Sequence, residues 1–157
     1  MKELSLNILD VAKNSVTAGA TRIEITVAET PERITITITD NGCGMTPEFV
    51  RQVTDPFTTT RTTRRVGMGL PLMKMEAQMS GGDLSIESQL GQGTTVISWF
   101  DPRNIDMPPL GDLTSSVTTL IQGSPDIDFI FTHQTPNGEY TLDTGEIRTI
   151  MGDIPLS

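Results

Sequence analysis

Cysteine, histidine and aromatic side chains are scarce in this chain of 157 residues, which has one cysteine, one histidine and 4% aromatic residues. The single cysteine, Cys43, excludes an internal disulfide and is typical of a reducing compartment. The sequence also lacks an apolar run long enough for a signal peptide or a membrane span. We therefore expect a cytoplasmic protein with an aliphatic core and no membrane association.

Positive charge is scarce as well. The chain has 11 basic and 20 acidic residues, a formal net charge of −9. Residues 1–100 have a net charge of −2, from 11 acidic and 9 basic side chains, and residues 101–157 have −7, from 9 acidic and 2 basic side chains. We expect no nucleic-acid partner, because DNA and RNA binding depends on a basic surface. An anionic ligand would need a local binding feature.

Hydrophobic periodicity predicts an α/β protein. Helices are predicted over residues 2–18, 69–80 and 112–122. Strands are predicted over residues 21–29, 33–40, 83–88, 94–100, 126–133 and 139–144. The last two strands are expected to form a hairpin around Pro136-Asn137-Gly138. Residues 101–109 contain three prolines and are predicted to be a linker.

Other segments are harder to assign from periodicity. Residues 46–66 are rich in threonine and arginine, which predicts a long mobile loop, although Thr46-Pro47-Glu48 is typical of a helix start. Residues 145–153 are predicted to form a last short helix. Four methionines are expected to fill the core against the sheet: Met68, Met73, Met75 and Met79.

The first helix is predicted to be amphipathic, with Asn7, Asp10 and Asn14 on the side opposite its apolar arc. Asp10 and Asn14 are four residues apart and share a helix face. An asparagine oxygen is a suitable ligand for Mg²⁺, and a carboxylate one turn away could orient or deprotonate a nucleophile. The alternative is a solvated polar face.

The stretch "DNGCGM" at residues 40–45 follows a predicted strand. A hairpin turn is one interpretation, but the residues that follow do not return into a strand. Gly42 and Gly44 would let the backbone approach a flat ligand closely. Asp40, at the strand end, can accept a hydrogen bond from an exocyclic amine such as that of adenine. Taken alone, the stretch leaves both interpretations open, a hairpin turn and a site for a flat ligand with such an amine.

The stretch "VGMGL" at residues 66–70 opens a predicted helix. Helix N-termini bind phosphate through free N–H groups and the helix dipole. No Lys-Ser/Thr pair follows, so it is not a Walker A motif, and the third glycine of a dinucleotide fingerprint is missing. The alternative to a phosphate site is a flexible loop end.

These motifs occur in one order: a helix with Asp10 and Asn14, two strands, "DNGCGM", a long loop, the "GMGL" helix, and the "GQGTT" strand at residues 91–95. In this order the chain resembles the GHKL superfamily of Bergerat-fold ATP-binding domains, over about residues 1–100. The resemblance implies a two-layer α/β sandwich, with a mixed sheet and helices on one face. Residues 101–157 would then be a linker and a small acidic α/β extension.

Two parts of the chain carry the resemblance. "DVAKNSVTAGATRIEI" is similar to the first helix and strand of the mismatch-repair ATPases, which implies Mg²⁺ coordination for Asn14 and a general base at Asp10, where those ATPases usually have Glu. "TPEFVRQVTDPFTTTRTTRRVGMGLPLMKMEAQMSGGDLSIES" is similar to histidine-kinase catalytic domains. Within it, "DPFTTTR" stands where the phenylalanine-containing box of the lid stands.

The resemblance also implies the nucleotide contacts. Asp40 would bind the adenine amino group, with Gly42 and Gly44 beneath the base. Thr94 would close the adenine pocket, and Arg61 would reach the terminal phosphate. Gly67 and Gly69 would lie at the phosphates. The expected contacts are completed by Met45, Thr60, Met68 and Leu70.

The expected function is that of a histidine-kinase-like or anti-sigma-factor-kinase-like protein, which transfers the γ-phosphate of ATP–Mg²⁺ to a separate protein. No histidine precedes the ATP-binding region, and His133 is not expected to be a phosphoacceptor. The alternatives are an ATP-gated protein-binding switch without catalysis and a GHKL ATPase. A homodimer remains open. The strands after residue 100 could extend the sheet, form a partner-docking face or mediate dimerisation.

Overall fold

The computed structural model describes residues 3–53, 69–105 and 107–144, which form a mixed β-sheet and a layer of helices. The helices within these residues are α1 (Leu4–Thr17), α2 (Pro47–Val53), α3 (Gly69–Met79) and α4 (Leu113–Gly123). The strands are β1 (Arg22–Glu29), β2 (Ile34–Asp40), β3 (Asp83–Gln89), β4 (Gly93–Phe100), β5 (Asp128–Thr135) and β6 (Gly138–Asp143). The predicted two-layer α/β architecture is confirmed.

The sheet has the strand order β3-β4-β2-β1-β5-β6 among the described residues. β1 and β5 are parallel, whereas every other neighbouring pair is antiparallel. β5 and β6 come from the acidic part of the chain after residue 100 and extend the same sheet through β1. Of the roles left open for these strands, extension of the sheet is the one observed.

The alternation in β2 directs one row of side chains toward the helices. Ile34, Ile36 and Ile38 are at most 7% exposed, whereas the threonines between them are half-buried on the other face. Since side chains two residues apart point to the same face of a strand, Asp40 continues the isoleucine row. The carboxylate therefore projects from the end of the core toward the helix layer.

One hydrophobic core lies between the sheet and the helices α1, α3 and α4. Its largest fully buried apolar side chains are Phe100, Phe129, Leu4, Ile8, Ile23, Ile25, Ile36, Ile38, Met73 and Val27. Each side chain of this size stabilises the fold by about 1.5–3 kcal/mol on burial. No helix among the described residues has the length and hydropathy needed to cross a bilayer.

Two predictions about which side chains face the core are wrong. Asn7, expected on the polar side of α1, is fully buried because α3 packs there and its Glu76 accepts a hydrogen bond from the Asn7 amide. Met73 is buried as predicted, but Met75 is 42% and Met79 is 56% exposed. Only one side of α3 packs against the sheet, so methionines on the other side face solvent. Met68 lies outside the described residues.

Backbone N–H groups at the start of α1 find hydrogen-bond partners in the segment that follows β4. The N-cap residue makes no side-chain capping bond. Instead, the N–H groups of Leu4 and Ser5 donate to the carbonyl oxygens of Pro109 and Leu110, at 2.9 and 2.8 Å. Ser116 of α4 donates to the Ser5 carbonyl at 2.9 Å. The bonds from Leu4 and Ser5 give partners to two N–H groups that a helix start otherwise leaves unpaired, and the bond from Ser116 joins α4 to the same turn.

Two local predictions are confirmed. β5 and β6 form the hairpin around residues 136–138. The helix start at Thr46 is α2, where the Thr46 hydroxyl accepts the Phe49 N–H at 3.2 Å as a helix cap does. The predicted loop at 46–66 therefore begins with a helix, and its later part lies outside the described residues. So does the helix predicted over 145–153.

Candidate functional site

A cavity of about 380 Å³ opens where β2 ends, between the sheet and helices α1, α2 and α3. This volume is in the range of small-molecule sites. Its walls are mostly apolar, with a few polar groups at one end. The lining residues are Val11, Asn14, Ser15, Thr17, Ala18, Asp40, Cys43, Gly44, Met45, Phe49, Leu70, Thr94 and Val96.

Among the described residues that line this cavity, Asp40 is the charged one, and its carboxylate is fixed by two donors. The Ser15 hydroxyl on α1 donates to one carboxylate oxygen at 2.6 Å. The backbone N–H of Gly42 donates to the other oxygen at 2.8 Å. Hydrogen bonds to an ionised acceptor are stronger than those between neutral groups. The carboxylate is thus held in one orientation, with acceptor capacity left for a ligand.

Ser15 is a site residue that the sequence analysis missed. It is 4% exposed and lies on the core-facing side of α1, one residue after Asn14. A hydroxyl on the apolar arc of a helix was the available signal, since buried polar groups need hydrogen-bond partners. That Ser15 pairs with Asp40, 25 residues later, depends on the packing of α1 over β2.

The loop after Asp40 is pressed against the sheet. A Cβ on Gly44, whose φ is +75°, would lie 2.1 Å from the carbonyl oxygen of Gln89. The Cys43 N–H donates to the Ala18 carbonyl at 2.9 Å, and the Gly91 N–H donates to the Cys43 carbonyl at 2.8 Å. Only glycine fits at position 44, in both conformation and space. The loop is therefore a wall of the cavity and not a hairpin turn.

The "GQGTT" strand completes the opposite wall. Thr94 pairs with Asp40 in the register of β4 and β2. Its hydroxyl lies 2.8 Å from the Ser88 hydroxyl oxygen, which also accepts the Met45 N–H at 2.7 Å. The sequence analysis did not identify Ser88, whose role depends on the pairing of β3 with β4. One polar end and apolar walls suit a flat heteroaromatic ring.

Asn14 lines the same cavity from α1. Its amide nitrogen is buried and has no hydrogen-bond partner among the described residues. A buried polar group without a partner is costly, so its side chain is available to a ligand. The amide also carries an oxygen, the atom type that Mg²⁺ takes as a ligand. Asp10 lies one turn earlier, where it is exposed and does not line the cavity.

The structure brings many of the predicted site residues together. Those that line the cavity are Asn14, Asp40, Gly44, Met45, Leu70 and Thr94. Gly42 is a buried residue of the loop that follows β2. Gly69 begins α3, next to Leu70. Thr60, Arg61, Gly67 and Met68 lie outside the described residues. Lining residues that the sequence analysis did not predict are Val11, Ser15, Thr17, Ala18, Cys43, Phe49 and Val96.

The fold and the cavity define an α/β protein with a mostly apolar pocket that has one polar end. Residues 1–104 match the family described as histidine kinase-, DNA gyrase B-, and HSP90-like ATPase. The match covers about two thirds of the 157 residues, so the chain belongs to this family. The resemblance drawn from the motifs is confirmed.

Individual relatives agree with the family. The sensor protein SrrB of Staphylococcus aureus is 34% identical over 102 residues, which are 62% of this chain and 17% of that protein. A protein of Rickettsia conorii named as an NtrY-like sensor histidine kinase is 27% identical over 108 residues, 68% of this chain and 18% of its own length. The chain thus spans less than a fifth of these relatives. It is similar to their ATP-binding, histidine-kinase-like domain.

The fold also matches a solved structure. The crystal structure of the N-terminal domain of a DNA repair protein superposes with a TM-score of 0.63 at 17% sequence identity. The superposition covers 91% of this chain and 53% of that one. At this identity the match shows the fold alone. It extends beyond residues 1–104, so the fold that the two proteins share includes part of the acidic segment.

Proposed function

We propose that the protein binds ATP–Mg²⁺ in the cavity and transfers the γ-phosphate to a separate protein. The observation that carries the proposal is the Asp40 carboxylate, fixed by Ser15 and Gly42 at the polar end of an apolar cavity. An adenine ring presents an exocyclic amine that such an acceptor can bind. Family membership supports ATP as the nucleotide.

The other residues receive roles that fit their positions. Gly44 lets the loop after β2 pack against the end of β3 and so form a wall of the pocket, and Thr94 closes the pocket beside Asp40. The amide oxygen of Asn14 would be the protein's ligand to Mg²⁺, which supplies neutralisation of the phosphate charge. The helix N-terminus at Gly69 would bind phosphate oxygens. Gly67, Met68, Thr60 and Arg61 keep the phosphate and lid roles that the motifs predict.

Asp10 is assigned the role of a general base for the group that accepts the phosphoryl group. In the transfer, the oxygen or nitrogen of the acceptor forms a bond to the γ-phosphorus, the bond from that phosphorus to the β–γ bridging oxygen breaks, and ADP leaves. The acceptor's proton passes to the Asp10 carboxylate. Asp10 is exposed on α1, so a group from another protein can reach it. This exposure supports an acceptor that comes from outside the cavity.

The acceptor is not expected to be the chain's own histidine. His133, the single histidine of the sequence, lies on β5 and pairs with Glu29 at the end of β1. It does not line the cavity. His133 is therefore not assigned as the acceptor, and the proposed acceptor is a residue of another protein, in keeping with a kinase of the histidine-kinase-like type that acts in signal transduction.

One observation favours a second candidate, an ATP-gated binding switch with little catalysis. Asp10 has a shorter side chain than the glutamate common in mismatch-repair ATPases, and it does not line the cavity. In this case nucleotide binding itself, and not phosphoryl transfer, would control the affinity for a partner protein. Asp10→Asn separates the two: it abolishes transfer in a kinase and leaves partner binding unchanged in a switch.

Calorimetric titration with ATP tests the proposal directly. The wild type should bind ATP more tightly with Mg²⁺ than without it, and Asn14→Ala should lose most of that difference. Gln122→Ala, an exposed amide on α4, is the matched control and should behave as wild type. Absence of ATP binding by the wild type at millimolar concentration would refute the proposed function.

A further inference from the structure

Asn7 of α1 and Glu76 of α3 form a polar contact away from the cavity, with Asn7 buried and Glu76 partly buried. The Asn7 amide nitrogen donates to a Glu76 carboxylate oxygen at 2.9 Å. Asn7 is fully buried, and the second carboxylate oxygen of Glu76 is buried as well. Neither residue lines the cavity. The nucleotide site as described gives this pair no direct role.

The pair is energetically an unfavourable choice for two packed helices. The side-chain oxygen of Asn7 is buried without a hydrogen-bond partner in the part of the chain that the structure describes. A buried carboxylate loses its hydration, and apolar residues of similar size at such positions are often neutral or stabilising. Stability alone therefore does not account for a polar pair here. The polar pair provides one directional contact between the helices, which apolar packing does not provide.

The pair joins α1 and α3, the two helices that border the cavity, at a point away from the cavity. Asn14 lies seven residues after Asn7 on α1, and Gly69 lies seven residues before Glu76 on α3. Seven residues span about 10 Å of helix and return to nearly the same face. Asn14 and Leu70 line one cavity, so the two helices run side by side in opposite directions. The pair lies two turns away from the site on both helices.

We propose that Asn7 and Glu76 are positioning residues, whose hydrogen bond fixes the axial register of α1 against α3. With that register, Asn14 stands level with the start of α3, where the phosphates would lie. The inference rests on the proposed function, because it assigns to Asn14 the Mg²⁺ of bound ATP. A shift of about 1 Å between groups that share one ligand is enough to lower activity about 100-fold.

The decisive variant replaces both residues by leucine. Asn7→Leu/Glu76→Leu removes both polar partners together, so urea unfolding should show a stability close to that of the wild type. We expect this variant to bind ATP without Mg²⁺ as the wild type does. The gain in affinity that Mg²⁺ provides should fall at least tenfold. Glu76→Gln keeps an oxygen for the Asn7 amide and should retain most of the gain.

A nucleotide-independent readout separates the two proposals. Spin labels at Lys13→Cys on α1 and Met79→Cys on α3, both exposed positions, report the relative placement of the helices in a Cys43→Ser background. The label distance should be narrow in the parent protein and shifted or broadened in the leucine pair. An unchanged distance, or an unchanged Mg²⁺ gain in a stable leucine pair, overturns the inference. Failure of the wild type to bind ATP refutes the proposed function, while the label distance still decides whether the pair sets the register.

Discussion

Asp40→Asn changes one atom at the polar end of the cavity and tests what the carboxylate does there. In the wild type each carboxylate oxygen accepts one fixed bond, from the Ser15 hydroxyl and from the Gly42 N–H. Asparagine has the same shape but only one oxygen. The backbone N–H of Gly42 cannot become an acceptor, so the amide oxygen will face it. The amide NH₂ group then faces Ser15, whose hydroxyl can rotate to accept.

This arrangement allows the cost to be worked out. Both protein contacts persist as neutral hydrogen bonds, so the folded state should lose little stability. The amine of an adenine ring, however, meets an NH₂ group and loses an ionised acceptor. A hydrogen bond to a charged group contributes about 1.5–3 kcal/mol. Since 1.4 kcal/mol is a factor of ten in affinity, the Kd for ATP should rise roughly 10- to 150-fold.

Calorimetry with ATP and GTP, together with urea unfolding, measures both effects. The preference for ATP over GTP should narrow, because guanine presents a carbonyl oxygen that an NH₂ group can bind. Asp112→Asn is the matched control: Asp112 caps α4 through the Ser115 N–H, and asparagine caps a helix equally well. An Asp40→Asn protein that binds ATP within twofold of the wild type would refute the assignment of Asp40 to the adenine amine.

Three further outcomes are expected. Gly44 has a left-handed backbone conformation, and Gly44→Ala would place a Cβ 2.1 Å from the carbonyl oxygen at the end of β3. The variant should therefore lose affinity for ATP in calorimetry. Retained affinity would contradict the assignment of that loop as a wall of the cavity. Phe129→Ala removes a side chain that is 1% exposed and should cost about 3–5 kcal/mol in urea unfolding, whereas Tyr140→Ala, on the adjacent strand and 58% exposed, should change the free energy of unfolding by less than about 0.5 kcal/mol. The hydrogen bond from Arg103 lowers the pKa of Asp101, so Arg103→Gln should raise that pKa toward its ordinary value in an NMR titration. The small stabilisation of the fold by this bond is present above the pKa that Asp101 has in the unfolded chain. It is lost as the pH falls through the pKa that Asp101 has in the folded protein.

Local periodicity was sufficient to predict most of the fold. The helix predicted over residues 69–80 is observed at Gly69–Met79, and the one predicted over 112–122 at Leu113–Gly123. Alternation in β2 predicted a strand that ends at Asp40, and the missing return strand predicted that the next residues are not a hairpin turn, as the structure shows. These features depend on neighbours within a few residues, which the sequence displays directly.

Contacts between elements distant in sequence were not predictable in the same way. The polar pattern of α1 placed Asn7 opposite the core, but α3 covers that side and buries it. Met68 and the three methionines of the helix predicted after it were expected in the core, yet α3 packs on one side only and leaves Met75 and Met79 exposed. In both cases the outcome depends on which face of a helix meets a second element, and no local period carries that information.

The sequence by itself determined the elements, their order and the residue types of the nucleotide motifs, because backbone propensity and periodicity are local properties. Tertiary structure decided that Ser15 fixes Asp40, that the Asn14 amide nitrogen is buried without a partner among the described residues, and that the acidic segment extends the sheet through β5. The physical reason is that each of these contacts joins groups brought together only when helices close over the sheet. Burial then requires each polar group to find a partner within the protein or in a ligand.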